Sequence, residues 1–369
     1  MFVDIMRRKI FILSVTIYLF LFSCIQFKEH PLDPTTLKGY FLSSFLRNNS
    51  IDQDNNSIDQ DNNSIDQDNN SIDQEAKGIL DDSFGNGSGY VILSINNDND
   101  HGYSLAIQSD GKILLGGSCY NGSNYDFCIV RFNSDGTLDN SFGTNGKVIQ
   151  NIGSSDDIGY SLAIQPDGKI LLGGYCYNRN RNNNDFCIAR FKSDGTLDNS
   201  FGTIGAIGKV IQSIGSNSDY GYSLAIQPDG KILLGGRCNN GSNNDFCIAR
   251  FNSNGSLDNS FGSPNGYIIQ PIGTDDDKGH SLAIQPDGKI LLGGSCNNAS
   301  NIDFCIARFN SNGTLDTYFG TGGKVIQPIG SDPDHDYGYS LAIQPDGKIL
   351  MGGHCRVVSN DDFCIARFK

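Results

Sequence analysis

Apolar and polar positions alternate over short stretches of this chain, and the alternation returns at a regular interval. In the stretch from Ser161 to Ile164, Leu162 and Ile164 share one side of an extended chain, and Ser161 and Ala163 share the other. A period of two is typical of a β-strand. The surrounding repeat holds four such stretches, which we name strands a, b, c and d: 159–165, 169–176, 185–192 and 209–214. The pattern predicts an all-β protein.

One repeat accounts for most of the chain. Its core, Ser-Leu-Ala-Ile-Gln-(Pro/Ser)-Asp-Gly-Lys-Ile-Leu-(Leu/Met)-Gly-Gly, begins at Ser104, Ser161, Ser223, Ser281 and Ser340. A period near sixty residues indicates a repeat architecture. Pro-Asp-Gly between strands a and b predicts a tight turn, so these two strands form a hairpin. Four antiparallel strands per repeat predict a β-propeller of five four-stranded blades.

The two ends of the repeat region are incomplete in complementary ways. Pro271 and Pro328 fall inside strand d as counted from the sequence, which makes d an edge strand. Residues 90–95 resemble a strand d without its a, b and c, and the chain stops after a strand c without its d. Pairing residues 90–95 with the terminal strand would complete the fifth blade, close the ring and remove the exposed edges. An open array and a ring completed by a second chain remain alternatives.

Two motifs carry a resemblance to a known family. Leu-Asp-Asn-Ser-Phe-Gly at Leu138–Gly143 and Leu-Ala-Ile-Gln-Pro-Asp-Gly-Lys-Ile-Leu-Leu-Gly-Gly at Leu162–Gly174 are similar to the delta-60 tandem-repeat family of bacteria. The resemblance covers about residues 80–369. It implies a β-propeller of unassigned function and brings no catalytic residues with it.

The N-terminal segment has the order of an export signal. Three basic residues, Arg7 to Lys9, precede a short apolar run that ends at Leu-Phe-Ser-Cys. This order predicts a signal peptide over residues 1–23. The ending resembles a lipobox, which implies that Cys24 is lipidated; an ordinary cleaved signal is the alternative. Residues 24–79 contain an acidic heptapeptide repeat with one apolar residue in seven, which predicts a disordered tether. We expect a protein of the bacterial cell envelope, anchored in the membrane outside the cytoplasm.

Cysteine follows the repeat. Ten of the eleven cysteines occur as one pair per repeat, at the end of strand b and the start of strand c. The spacing and lack of a neighbouring His disfavour zinc. Export favours disulfides over reduced thiols, which are the alternative. The predicted disulfides are Cys119–Cys128, Cys176–Cys187, Cys238–Cys247, Cys296–Cys305 and Cys355–Cys364.

Charge distinguishes one face of the predicted propeller. The formal net charge of −14 argues against a nucleic-acid partner. Aspartates concentrate in the loops from strand d to the next strand a, which share a face with the b–c loops, so this face should be acidic and is the candidate binding surface. A solvated acidic rim is the alternative. The candidate acidic residues are Asp98, Asp100, Asp156, Asp157, Asp219, Asp275 and Asp277.

An aromatic residue heads strand a in every repeat, beside the acidic loops. Aromatic side chains there suit contacts with a sugar or a peptide, and packing between blades is the alternative. These residues are Tyr103, Tyr160, Tyr222, His280 and Tyr339. One loop also spaces Asp332, Asp334 and Asp336 as oxygen ligands for Ca²⁺ would be spaced. We expect no other cofactor.

The sequence favours binding over catalysis. Catalytic acids and bases need unlike environments, whereas five similar repeats offer like ones. The function expected is therefore a monomeric, membrane-anchored binding or scaffold module for a protein or glycan. An enzyme acting on glycans and a purely structural surface lipoprotein are the alternatives.

Overall fold

The computed structural model describes residues 78–96, 98–202, 207–298, 301–329, 335–357 and 360–369. The predicted signal peptide, Cys24, nearly all of the predicted tether, Asp332 and Asp334 lie outside the described residues. The described residues contain nineteen β-strands, which lie in one compact unit, residues 76–369. No helix occurs among the described residues, so that part of the chain has none that would span a membrane.

The strands form five antiparallel sheets, one per repeat, which are the five blades. Blade one consists of β1 (Asp100–Ile107), β2 (Ile113–Tyr120), β3 (Tyr125–Phe132) and β4 (Lys147–Gln150). Blade two consists of β5 (Asp157–Ile164), β6 (Ile170–Asn178), β7 (Asn183–Phe191) and β8 (Lys209–Gln212). Blade three consists of β9 (Asp219–Ile226), β10 (Ile232–Asn239), β11 (Asn244–Phe251) and β12 (Tyr267–Gln270). Blade four consists of β13 (Asp277–Ile284), β14 (Ile290–Asn297), β15 (Ile302–Phe309) and β16 (Lys324–Gln327). Blade five has three strands, β17 (Asp336–Ile343), β18 (Ile349–Val357) and β19 (Asn360–Phe368).

The hairpin between the first two strands of a blade has the predicted turn. In blade two the Gln165 amide donates to the Lys169 carbonyl over 2.8 Å, and Gly168 takes a φ of +80°, which favours glycine. A β-bulge then interrupts the pairing of β5 with β6, because Gly159 pairs with Gly174 and Ser161 with Gly173. Tyr160 is the extra residue. The bulge therefore takes Tyr160 out of the ladder.

Each blade stacks its face on the next blade. A methyl group added at Gly116 of blade one would lie 2.7 Å from Leu162 Cδ1 of blade two, so glycine makes room for this leucine. The Ser104 hydroxyl, in blade one, accepts a hydrogen bond from the Leu162 amide over 2.9 Å. The remaining three junctions repeat both contacts, with Leu224, Leu282 and Leu341 in place of Leu162. The cores lie between the sheets, as expected for a propeller.

An arginine latch ties the outer part of each of the first four blades together. In blade two, Arg190 Nε lies 2.8 Å from Asp198 Oδ2, and the guanidinium stacks on Phe201 with 4.5 Å from Cζ to the ring centroid. Arg190 also donates to the Ser253 carbonyl of blade three. The ion pair and the ring contact recur at Arg131, Arg250 and Arg308, and the hydrogen bond to the next blade recurs at Arg131 and Arg250.

Two details of the strand predictions need correction or stay open. Strand d is at the edge of its sheet, as predicted, but Pro271 and Pro328 follow β12 and β16 instead of lying inside them. Residues 90–95 form no strand and pack against blade one through Leu93 and Ile95. The pairing described for β19 is with β18 alone. Closure of the ring through residues 90–95 therefore stays a prediction.

Candidate functional site

The first strands of the blades carry a continuous series of aromatic rings. Each ring contacts the ring of the next blade: the centroids lie 4.7 Å apart for Tyr103 and Tyr160, 5.3 Å for Tyr160 and Tyr222, 5.3 Å for Tyr222 and His280, and 5.2 Å for His280 and Tyr339. Tyr103 and Tyr339, at the two ends, are about half exposed. We call these five residues the aromatic series.

A second layer of side chains lies beside the aromatic series and differs from blade to blade. In each blade it consists of two residues that pair across the first and second strands. One follows the aspartate that opens the first strand, and the other follows Gly-Gly in the second strand. We call them the variable pairs. They are His101–Ser118, Ile158–Tyr175, Tyr220–Arg237, Lys278–Ser295 and Tyr337–His354.

The variable pairs and the aromatic series are in contact. Tyr160 packs against Tyr175, with 5.8 Å between the centroids, and Tyr175 packs edge-on against Tyr220 at 4.8 Å. On the fifth blade His354 lies 4.8 Å from Tyr337 and 5.4 Å from Tyr339. The result is one aromatic surface that crosses all five blades.

Burial shifts the titration of several groups on this surface. Desolvation raises the pKa of Tyr222 to about 12, although the nearby positive charge of Arg237 acts in the opposite direction. Desolvation also raises the pKa of Tyr175. Burial lowers the pKa of His280 to about 4, with Lys278 and Arg237 adding to the effect, so His280 is neutral at pH 7. These groups act as hydrogen-bonding aromatic side chains at neutral pH.

The predicted acidic residues divide into two groups. Asp157, Asp219 and Asp277 open the first strands and are fully buried. Each carboxylate accepts hydrogen bonds from the loop before it; for Asp157 the donors are the Ile152 amide at 2.6 Å and the Gly153 amide at 2.9 Å. These three residues therefore hold the loop and do not lie on the surface that a ligand meets.

Other predicted acidic residues are at the surface or partly covered. Asp98, Asp156 and Asp275 are exposed. Asp156 accepts a hydrogen bond from the Tyr125 amide over 3.0 Å, which places the d–a loop against the b–c loop on one face, as predicted. Asp100 is half-buried and accepts from the Ile95 amide over 2.8 Å. Their part in binding stays a prediction.

The calcium prediction is only partly within the described residues. Asp336 opens β17, is buried, and accepts a hydrogen bond from the Ile329 amide over 2.7 Å, as its counterparts in other blades do. Among the described residues no group of three acidic, His or Cys side chains is arranged to hold a metal ion. Calcium binding by Asp332, Asp334 and Asp336 stays a prediction.

All five predicted disulfides are present. Each joins the second strand of a blade to the third, with 5.5–5.8 Å between the Cα atoms. The second repeat, with its longer b–c loop, keeps the same cross-strand geometry. Five disulfides indicate an oxidising environment outside the cytoplasm.

Sequence reasoning found the aromatic series and missed the variable pairs. The rings of His101, His280 and His354 all lie on the aromatic surface, and of these three the sequence predicts only His280 there. Arg237 and Tyr175 were not singled out at all. The available signal was the repeat itself, because these positions change between copies whose neighbouring residues barely change.

The sheets and the repeat define the class of protein, which is a β-propeller of five blades. The family model "Domain of unknown function (DUF5122) beta-propeller" matches the chain five times, at residues 108–142, 165–201, 227–261, 285–319 and 344–369. These matches support a β-propeller repeat family of unknown function. No curated protein is similar to this sequence.

Several solved structures are similar at low identity. Virginiamycin B lyase from Staphylococcus aureus is 15% identical over 75% of this chain and 72% of its own, with a TM-score of 0.42. A protein of unknown function from Bacteroides caccae is 14% identical over 68% and 69%, with a TM-score of 0.39. A polysaccharide lyase of family PL25, an ulvan lyase, is 15% identical over 71% and 67%, with a TM-score of 0.42. Likeness at this level carries no argument about activity.

Proposed function

We propose that this propeller is a binding module without catalytic activity, and that its ligand is a glycan that lies on the aromatic surface. The observation that carries the proposal is the contrast between scaffold and surface. The repeats keep the same turns and glycines, whereas the five variable pairs all differ and lie together beside the aromatic series. Variable positions that lie together on a rigid scaffold are typical of a recognition site.

The chemistry of the surface favours a glycan over a protein. It offers aromatic faces together with tyrosine hydroxyl and histidine groups, which suits ligands that have an apolar face and a polar edge. Sugar rings have both. The exposed aspartates Asp98, Asp156 and Asp275 lie in the d–a loops, just before the first strands that carry the aromatic series. They would form a polar rim around the ligand.

The half-exposed ends of the aromatic series provide the test. Changing Tyr103 and Tyr339 to Ala removes two rings without opening a buried core. Glycans that bind the wild-type protein on an array should bind each single variant about 2- to 12-fold more weakly, from the 0.5–1.5 kcal/mol of an aromatic contact. Tyr318→Ala is the matched control, because Tyr318 is almost fully exposed and belongs to neither set. Equal binding by all variants would contradict the proposal.

The experiment also tests the enzymatic alternative. The same glycans, incubated with the wild-type protein and separated by size, should remain intact. Shortened products that the Tyr103→Ala variant fails to make would indicate a glycan-cleaving enzyme instead of a binding module.

We further propose that the protein is an exported lipoprotein with delta-60 repeats, held at the cell envelope by a lipid on Cys24. The support is the signal-like order of residues 1–23 together with the five disulfides. Metabolic labelling with an alkynyl fatty acid should modify the wild-type protein and not Cys24→Ala. Label on both proteins, or on neither, would contradict the anchor.

A further inference from the structure

We infer that the ligand carries carboxylate groups, that Arg237 of blade three binds one of them, and that the ligand class is therefore an acidic, uronate-containing glycan. The inference rests on the proposed function and specifies the chemistry of its ligand. It concerns a position that only one of the five blades fills with a guanidinium, since the counterparts of Arg237 are Ser118, Tyr175, Ser295 and His354.

Arg237 is a partly buried cation whose contacts are with the Tyr220 ring and the Tyr222 hydroxyl, and among the described residues it has no carboxylate partner. Its Cζ lies 4.5 Å from the centroid of the Tyr220 ring, and its Nε atom is buried with no hydrogen-bond acceptor. It forms no ion pair with any described residue. Arg190 and Arg250, by contrast, each lie 2.8 Å from an aspartate oxygen. Burying a charge without a partner is costly, so a site that keeps one is suited to receive an anion.

A second cation lies on the neighbouring blade. Lys278 follows the buried Asp277 in β13, occupies the position of Tyr220 in its own blade, and forms no ion pair among the described residues. Arg237 and Lys278 both act on His280, which lies in the aromatic series next to Tyr222. The aromatic surface therefore has two cations beside it, in a chain whose acidic residues outnumber its basic ones by 41 to 27.

The geometry suits a carboxylate on a sugar ring. A guanidinium presents a planar fork that binds both oxygens of a carboxylate, and such charge-assisted bonds are among the stronger polar contacts. Aromatic rings for the sugar that carries the carboxylate lie close by: Tyr222 is next to Arg237, and Tyr175 packs edge-on against Tyr220, the residue paired with Arg237. A uronate has both features in one residue, whereas a neutral sugar has only the second.

The test compares acidic glycans with their own neutral forms. Polygalacturonate, alginate and hyaluronan, each beside its carboxyl-reduced counterpart, are titrated against the wild-type protein and Arg237→Met, which keeps an apolar side chain on Tyr220. Removing a hydrogen bond to a charged group should weaken binding of the preferred acidic glycan by about 10- to 100-fold. Binding of the reduced form should be unchanged, and Arg237→Lys should fall between the two. Arg179→Met, on an exposed loop, is the matched control.

Each outcome decides the inference. A loss confined to the acidic form supports it. Equal losses for both forms would assign Arg237 a structural role and overturn it, as would unchanged binding in Arg237→Met. If the wild-type protein binds the reduced forms and the acidic forms with equal affinity, the inference fails and the glycan-binding proposal stands. If the protein binds no glycan on this panel or on the array, both fail.

Discussion

At the scale of single residues, two opposed physical effects act on the pKa of each buried aspartate that opens a first strand. Asp157 is removed from water, which raises its pKa to about 7, while the amides of Ile152 and Gly153 favour the ionised form and limit the rise. Burial likewise raises the pKa of Asp219 and of Asp277 to about 6. Desolvation is the larger effect, so the folded protein holds protons that the unfolded chain has released.

The stability of the protein should therefore fall as the pH rises through this range. A folded-state pKa above the unfolded value of 3.8 stabilises the fold at low pH, and the contribution is lost as the pH rises to about 7. Each carboxyl lowers the free energy of unfolding by up to about 1.4 kcal/mol per pH unit within its window. Urea unfolding at several pH values from 5 to 8 should show this decline, and Asp157→Asn should make it shallower. Asp275→Asn, an exposed control, should leave the slope unchanged.

The sequence could place these aspartates in a loop but could not separate them from their exposed neighbours. Asp156 and Asp157 are adjacent and chemically identical, yet Asp156 is exposed and Asp157 is buried. The difference depends on which way each side chain points once β5 is formed and on the amides of a loop that folds back on it. Neither is visible in composition. The same reason explains why the acidic face contains fewer surface carboxylates than the sequence predicts.

At the scale of strands and loops, the arginine latch holds a buried ion pair within a blade and adds a polar link to the next blade. Arg190 and Asp198 are both largely buried, at 6% side-chain exposure each. Burial opposes ionisation of Asp198, but its hydrogen bonds to Ser200 and the charge of Arg190 keep its pKa below the usual value. The latch joins β7 to the loop that follows it and, through Ser253, to the next blade.

Removing one partner of the latch should be strongly destabilising. Arg190→Met leaves Asp198 buried without its guanidinium, although Lys169 lies 3.9 Å away and compensates in part. We expect a loss of about 3–5 kcal/mol in the free energy of unfolding, the usual cost of breaking a buried ion pair. The double variant Arg190→Met/Asp198→Asn should recover part of that loss. Lys192→Met is the control, because Lys192 is an exposed residue after the same strand. If Arg190→Met lowers the free energy of unfolding no more than this control does, the latch is contradicted.

Strands were easier to predict than their ends. The turn at Gln165 to Lys169 is coded locally by Pro, Asp and Gly, so the hairpin of β5 and β6 follows from the sequence. Strand d ends at Gln212, two residues earlier than predicted, because the Ile214 amide bonds to the carboxylate of Asp219 instead of to the sheet. A contact with a residue in the next blade's first strand is not apparent from strand patterning alone.

At the scale of the whole molecule, the two terminal faces match as the halves of one more blade junction. Leu105, the counterpart of Leu162, is 63% exposed on blade one. Gly352, the counterpart of Gly116, has no leucine against it on blade five. Phe363 and Ile365 of β19 are also exposed, and so is Ile92 in the segment that would pair with them. Apolar side chains left uncovered in this way favour association of the two faces.

The two partners of an arginine latch are also separated, with the aspartate beside blade one and the arginine on blade five. Asp81 accepts hydrogen bonds from the amide and hydroxyl of Ser83, as Asp139 does from Ser141, but no described arginine pairs with it. Arg367, the counterpart of Arg131, forms no ion pair with any described residue. The segment that contains Asp81 already lies on blade one, where the Gly85 amide donates to the Asp135 carbonyl. One association would therefore supply a latch, a fourth strand and a leucine contact together.

Glycine substitutions at equivalent positions can test whether the ring closes. A methyl group at Gly173 would lie 2.8 Å from Leu224 Cδ1, whereas one at Gly352 meets no atom of a neighbouring blade in the structure. If Leu105 packs on Gly352, Gly352→Ala should lower the free energy of unfolding by about 1–3 kcal/mol, as Gly173→Ala should, because both overpack a junction. If the faces stay apart, Gly352→Ala should be neutral or slightly stabilising, since alanine loses less chain entropy than glycine. The two faces can be covered by ring closure within one chain or by head-to-tail association of chains, and light scattering distinguishes the two. Ring closure requires a monomer, whereas association requires a larger species whose amount depends on concentration.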